Sequence, residues 1–191
     1  MTPIKTRALI LKRQKTGETS LLITLLTKDY GLRQTLAKGA AKPPNPLAGI
    51  LDLFHEIEVV LTPYRTSTKT YLKEARLIQS YSALHRDYLK LQLASYFAQL
   101  YFICLPHAHQ ASDLYELMQK AYDYLDHHPA SLTLMQRFEI ALLTHLGLAP
   151  TPEKGALQYF ANVFGQNFHQ IPEKRKKLLF TLQKIATMPN H

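Results

Sequence analysis

Lys38 and Lys42 bracket Gly39-Ala40-Ala41, and two prolines follow at 43 and 44. Residues this small let a bulky anion come close to the backbone, and the ammonium groups at either end would hold its charge. The chemistry this predicts is capture of phosphate, not bond breaking. Lys5, Arg7, Lys12, Arg13, Arg33, Arg65, Lys69 and Lys73 join the two lysines as candidate phosphate contacts. Each neutralised phosphate releases counterions, so binding through these groups should weaken steeply with salt. Side chains alternate between the two faces of a strand, so about half of the set is expected on one binding surface. Tyr30, Tyr64 and Tyr71 are spaced among the cations and could stack on bases. Core packing or turn anchoring is the ordinary role of each.

Other reactive residue types do not assemble into a catalytic pattern. Glu18 sits in a turn segment, where a carboxylate is expected to accept backbone N–H groups. His107 and His109 could chelate a metal, and His127 is adjacent to His128. With no cysteine or carboxylate at ligand spacing, loop histidines are the expectation and a metal is not. Cys104 falls in an apolar segment, where a thiol is inert. No glycine-rich phosphate loop occurs, so ATP use is not expected. Neither catalytic residues nor a cofactor are predicted.

Composition agrees with a folded binding protein. The chain has 191 residues, of which 46% are hydrophobic, and its formal net charge is +9. A basic balance of this size favours nucleic acid or another anionic surface as partner. The cationic excess lies in residues 1–80 and again in 151–191, whereas 81–150 holds slightly more acids than bases. A single cysteine rules out an internal disulfide framework and suits a reducing compartment. The N-terminus lacks the order of a signal peptide, and the apolar run around Leu93–Leu105 is too short to span a bilayer. A cytoplasmic protein is the expectation.

The elements that would carry the cations are strands. Ile4, Thr6, Ala8 and Ile10 alternate with Lys5, Arg7, Leu9 and Leu11, which predicts a first strand. Residues 20–27 and 32–38 read as a hairpin around Lys28-Asp-Tyr-Gly31, and residues 54–61 and 70–78 read as two further strands. Five short antiparallel strands in this length match a five-stranded OB-type β-barrel with a groove on one face. After Tyr81 the period becomes helical. A helix containing Tyr88, Leu91, Tyr96, Leu100 and Ile103 should stop at Pro106. Others should begin at Ser112 or Asp113 and at Ser131, the last with Leu134, Phe138 and Leu142 on its core side. Gly147 should end it. Two shorter helices come next, over Ala156–Phe164 and from Pro172, the latter carrying Lys174-Arg-Lys-Lys177. That run could touch phosphate or simply solvate a helix. The predicted class is α+β: an OB-fold over 1–80, then an α-helical domain over 81–191.

Glu18-Thr-Ser-Leu-Leu22, Thr27, Gly31, Ala37-Lys-Gly-Ala40, Leu47-Ala-Gly49, Leu51 and Phe54 closely resemble the N-terminal domain of the bacterial recombination mediator RecO. Arg137-Phe-Glu-Ile-Ala-Leu-Leu143 followed by Leu146-Gly-Leu-Ala-Pro150 resembles that family's central helical signature. The resemblance implies an OB-fold ahead of a helical domain, binding of single- and double-stranded DNA, and annealing of complementary strands. It also implies partnership with the ring-forming mediator RecR and with the acidic C-terminal tail of single-stranded DNA-binding protein, so that recombinase is loaded at gaps. Arg137 would suit that tail, because guanidinium pairs bidentately with carboxylate. Many family members carry a four-cysteine zinc element after the Gly-Leu-Ala-Pro segment. Residues 151–191 contain no cysteine, so no zinc element and a shortened tail are expected. The loop from Lys38 has fewer cations than many relatives, which predicts modest DNA affinity. The combined expectation is a non-enzymatic, DNA-binding mediator of recombinational repair. An OB-fold RNA-binding module and a protein-interaction adaptor stand as alternatives.

Overall fold

The computed structural model describes residues 2–42, 44–63, 69–105, 112–148, 156–164 and 171–186. Arg65, Tyr64, His107 and His109 lie outside them. Five strands form one closed barrel: β1 (Ile4–Thr16), β2 (Ser20–Thr27), β3 (Gly31–Ala37), β4 (Glu56–Pro63) and β5 (Thr70–Gln79). Their order around the barrel is β1-β2-β3-β5-β4, with β4 returning to β1. All neighbours are antiparallel except β3 and β5, which meet in a short parallel pairing, Thr35 with Thr70 and Leu36 with Tyr71. This is the OB-fold closure expected from the five-strand pattern. Among the described residues six helices follow: α1 (Ala83–Arg86), α2 (Tyr88–Cys104), α3 (Ser112–His127), α4 (Leu132–His145), α5 (Ala156–Phe164) and α6 (Ile171–Ala186). The chain divides into two compact units, one of residues 1–81 with 105–119 and one of 82–104 with 120–191.

In the barrel unit, Ala8, Ile10, Leu21, Ile23, Leu25, Ala37, Ile57, Val59 and Leu61 fill the interior. These are the every-second-residue positions that a pleated strand turns to one side. The opposite face is covered as well. Glu56, Leu9, Leu26 and Leu32 are successive cross-strand partners and all are buried. The first half of α3 reaches this row at Glu56. Buried Tyr115 donates its hydroxyl to Glu56 Oε1 at 2.8 Å, and Gln119 Nε2 donates to Glu56 Oε2 at 2.9 Å. Tyr81 adds a longer bond to the same carboxylate, at 3.4 Å. A buried carboxylate is costly unless its lone pairs are taken up, and here three side chains take them.

β1 runs on to Thr16, past the end that its alternation suggests. A β-bulge interrupts the register between Ile10 and Lys12, where Ile10 faces Leu25 and Lys12 faces Thr24. The extra residue, Leu11, reverses the alternation beyond it. The bulge is held from the neighbouring loop, because Phe54 N–H donates to the Ile10 carbonyl (2.8 Å) and Ile10 N–H donates to the His55 carbonyl (3.0 Å). Phe54 adopts a left-handed backbone, φ +64°, to make this clamp, and its ring is buried. Such a conformation in a bulky residue persists only where its surroundings enforce it.

The helical unit is built around stacked rings. Phe97 of α2 and Phe138 of α4 lie 3.8 Å apart at 19°, Tyr101 lies 6.0 Å from Phe138, and Leu93, Leu100, Leu125, Met135 and Leu142 are buried in the same unit. Ser131 caps α4 by accepting the Leu134 N–H at 3.2 Å. Gly147 ends the helix with φ +74°, and Leu148 N–H reaches back to the Leu143 carbonyl at 2.8 Å. That reach-back is the usual termination when glycine supplies the left-handed step. None of the described helices is long and apolar enough to cross a membrane.

Candidate nucleic-acid interface

Beyond the bulge, the inward side of β1 no longer carries apolar residues. Arg13 pairs with buried Ile23 and Lys15 pairs with buried Leu21, so both cations share the face that lines the barrel interior. They line an open cleft of about 650 Å³. Lys42 and Asn45 line it with them, and Leu21, Ala40, Ala41, Pro44 and Ala48 form the apolar remainder.

The loop that delivers Lys42 is fixed by its own hydrogen bonds. Gly39 turns the chain with φ +69°, where a side chain would be strained. Ala41 N–H donates to the Thr19 carbonyl at 2.8 Å and Lys42 N–H to the Gly39 carbonyl at 3.1 Å. Asn45 bridges the turn, donating Nδ2 to the Gly39 carbonyl and accepting the Leu47 N–H on Oδ1, each at 2.7 Å. Asp52 approaches Arg13 at 3.6 Å. Both partners are well exposed, so this pair tempers the cleft's positive charge only weakly.

Of the cations singled out in the sequence, Arg13 and Lys42 come together here. Lys15, absent from that set, completes the group. The alternation read over Ile4–Leu11 stops short of Lys15, and the bulge at Leu11 turns Arg13 and Lys15 alike to the cleft side. The other cations lie elsewhere. Lys5 and Arg7 are exposed on β1 ahead of the bulge. Lys5 pairs with Glu58 at 3.3 Å, and Arg76 pairs with the same carboxylate at 3.5 Å. These cations hold the Glu58 carboxyl below its ordinary range, the Lys5 hydrogen bond most of all. Lys12 is exposed, as are Lys69 and Lys73 on or beside β5. Arg33 is half-buried on β3, and its Nε is buried with no hydrogen-bond partner among the described residues. Lys38 stands 4.6 Å above the centre of the Tyr71 ring, so one face of that candidate stacking ring is occupied by a cation. Tyr30 is half-buried and its N–H is held by Thr27 Oγ1 at 3.1 Å. Glu18 is exposed, and among the described residues its carboxylate accepts no hydrogen bond, unlike the turn role expected for it.

Arg137 is exposed on α4, whereas Phe138 and Leu142 beside it are buried in the helical core. Glu139, one residue on, carries an arrangement that the sequence reading missed: it is 1% exposed and accepts two bonds from Arg175 and one from Tyr96. His127 and His128 each donate Nδ1 to the carbonyl four residues earlier, and His128 stacks on Tyr124. Among the described residues no group of His, Cys, Asp or Glu could hold a metal ion. Burial pushes the Cys104 thiol up to about 12, which suppresses the thiolate.

A small closed five-stranded barrel, here with a cleft lined by Arg13, Lys15 and Lys42, defines a protein of the OB-fold class. Residues 1–81 match the family described as Recombination protein O N terminal, and residues 85–161 match Recombination protein O C terminal. The chain belongs to the RecO family. Among its relatives, the DNA repair protein RecO of Heliobacterium modesticaldum is 33% identical over 147 residues, covering 76% of this chain and 52% of that protein. The protein of the same name from Cyanothece is 30% identical over 155 residues, covering 80% and 52%. That of Thermoanaerobacter is 28% identical over 172 residues, covering 85% and 68%. The matched region thus spans about half the length of the first two relatives.

Proposed function

We propose that the barrel unit binds DNA through the cleft of Arg13, Lys15 and Lys42, and that the protein acts as a mediator in recombinational DNA repair. The observation that carries this is the convergence of three cations on one cleft of an OB barrel, in a chain of the RecO family. Phosphates seated among the three would lose much of their repulsion for a second strand. Complementary strands could then approach and anneal, and recombinase could be loaded on DNA coated with single-stranded DNA-binding protein. On this reading the protein works by binding and holds no reaction centre. A RecR-like mediator and the acidic tail of single-stranded DNA-binding protein are its proposed partners, with Arg137 as the tail's contact. Lys5, Arg7, Arg33, Lys38 and Lys69 would add longer-range attraction outside the cleft.

The test is a salt titration of single-strand affinity for the wild type and for Arg13→Glu/Lys15→Glu/Lys42→Glu. Each lost phosphate contact should flatten the logarithmic salt slope by about 0.7, so the triple variant should lose about 2. Its annealing rate should fall with the affinity. An unchanged slope would remove the cleft from the mechanism, and stronger competition by RNA than by DNA would favour an RNA-binding module.

A further inference from the structure

We propose that the groove between α2 and α6 is a second nucleic-acid site, one that holds an unstacked base and its phosphate from a single strand. The choice of ligand rests on the nucleic-acid reading of the barrel cleft; the site itself is separate. On α2, Tyr88, Gln92, Ser95 and Gln99 recur at helical spacing and form one stripe. They line a groove of about 430 Å³ with Lys174 and Lys177 of α6 on its other side.

Tyr88 is 70% exposed, an unusual position for a large ring unless something covers it. Its backbone is well fixed. It opens α2, and the Asp87 carboxylate caps the helix by accepting the N–H groups of Leu89 (2.8 Å) and Lys90 (3.1 Å). A fixed, wet aromatic face is the element on which single-strand binders stack a base. The glutamine amides both donate and accept, as a base edge requires, and the lysines supply point charges for the phosphate. In the Lys174-Arg-Lys-Lys177 run the division of labour is plain: Arg175 turns inward to Glu139, and Lys174 and Lys177 face the groove.

The barrel cleft lacks these features. None of its described lining residues is aromatic. The cleft is therefore suited to backbone and the groove to base. An acidic peptide is the competing occupant. Leu89 and Leu178 give the groove some apolar lining, but Gln92, Ser95, Gln99 and Thr181 stand beside them, so the dry pocket that a peptide's apolar anchors need is lacking.

The experiment uses the full chain with two probes of equal length, an oligo-dT carrying 5-iododeoxyuridine and an abasic deoxyribose-phosphate oligomer. Irradiation should cross-link the first to the Tyr88 segment. Tyr88→Ala should weaken oligo-dT binding roughly tenfold and leave the abasic oligomer's affinity unchanged, while Tyr88→Phe should restore oligo-dT binding. Equal losses on both probes, no loss on either, or cross-links confined to the barrel would overturn the proposal. So would an Asp-rich fluorescent octapeptide that binds at Lys174 and Lys177 and is not displaced by oligo-dT. The Arg13→Glu/Lys15→Glu/Lys42→Glu variant separates the two readings: undiminished DNA affinity there sinks the cleft, whereas the Tyr88 cross-link tests the groove independently.

Discussion

Arg175 grips Glu139 with two parallel bonds, Nε to Oε1 at 2.7 Å and Nη2 to Oε2 at 2.9 Å. Tyr96 of α2 donates to the same Oε1 at 2.5 Å, so one buried carboxylate ties together α2, α4 and α6. Removing one partner of such a pair strands the other in a site it cannot leave cheaply. Glu139→Gln should lower unfolding stability by about 3 to 5 kcal/mol. Glu139→Leu/Arg175→Met, which removes both charges, should recover most of that. Urea denaturation of the wild type and both variants is the measurement, and a double variant no better than the single would contradict the assignment.

Alkaline pH should unfold the helical unit through groups that the fold keeps protonated. Burial, then the Glu139 charge, raises the Tyr96 hydroxyl well above its ordinary 10.0. Burial alone raises Cys104 from an ordinary 9.0 to about 12. In both cases the folded state holds a proton that the unfolded chain releases earlier. The stabilisation is complete below about pH 9 and drains away as pH climbs from there through 12. Urea midpoints measured from about pH 8 to about pH 11 should fall, and those of Cys104→Ala should fall less steeply. A midpoint flat across that range would refute the linkage.

Glu56 anchors the first half of α3 to the barrel through Tyr115 and Gln119. Glu56→Ala would leave buried donors unsatisfied, at about 1 to 3 kcal/mol for each. Hydrogen exchange should report faster opening of amides over Leu114–Gln119, with the β2–β3 amides little changed. Uniform acceleration throughout the barrel would mean that Glu56 serves the whole unit and not this helix.

Features set by local period and composition were legible in the sequence. The strands at 20–27 and 32–38, the cap at Ser131 and the stop at Gly147 each depend on residues within a few positions, and the structure has all of them, the second strand one residue earlier at Gly31–Ala37. The barrel closure was inferred from strand count and length. Contacts fixed by distant pairing were not legible. Glu139 reads as one acid in an apolar stretch, and nothing local announces Arg175, which lies 36 positions away. The bulge was hidden for the same reason: the Phe54 and His55 backbones that hold Ile10 are distant in sequence. An alternation written straight through Leu11 therefore puts Arg13 and Lys15 alike on the wrong side.

That reversal gives the most direct test of the cleft. Lys12 and Lys15 are both exposed lysines on the same strand, and any effect of net charge alone would treat them equally. Lys15 lines the cleft and Lys12 does not. Lys15→Glu should therefore weaken single-strand binding severalfold and flatten its salt slope by about 0.7. Lys12→Glu should produce a smaller loss, confined to low salt, because a charge away from the contact acts through a field that ions screen within about 10 Å at 0.1 M. Fluorescence anisotropy at several salt concentrations would separate the two. Matching slopes for the two variants would mean that the barrel attracts DNA by its overall charge and that the bulge positions nothing.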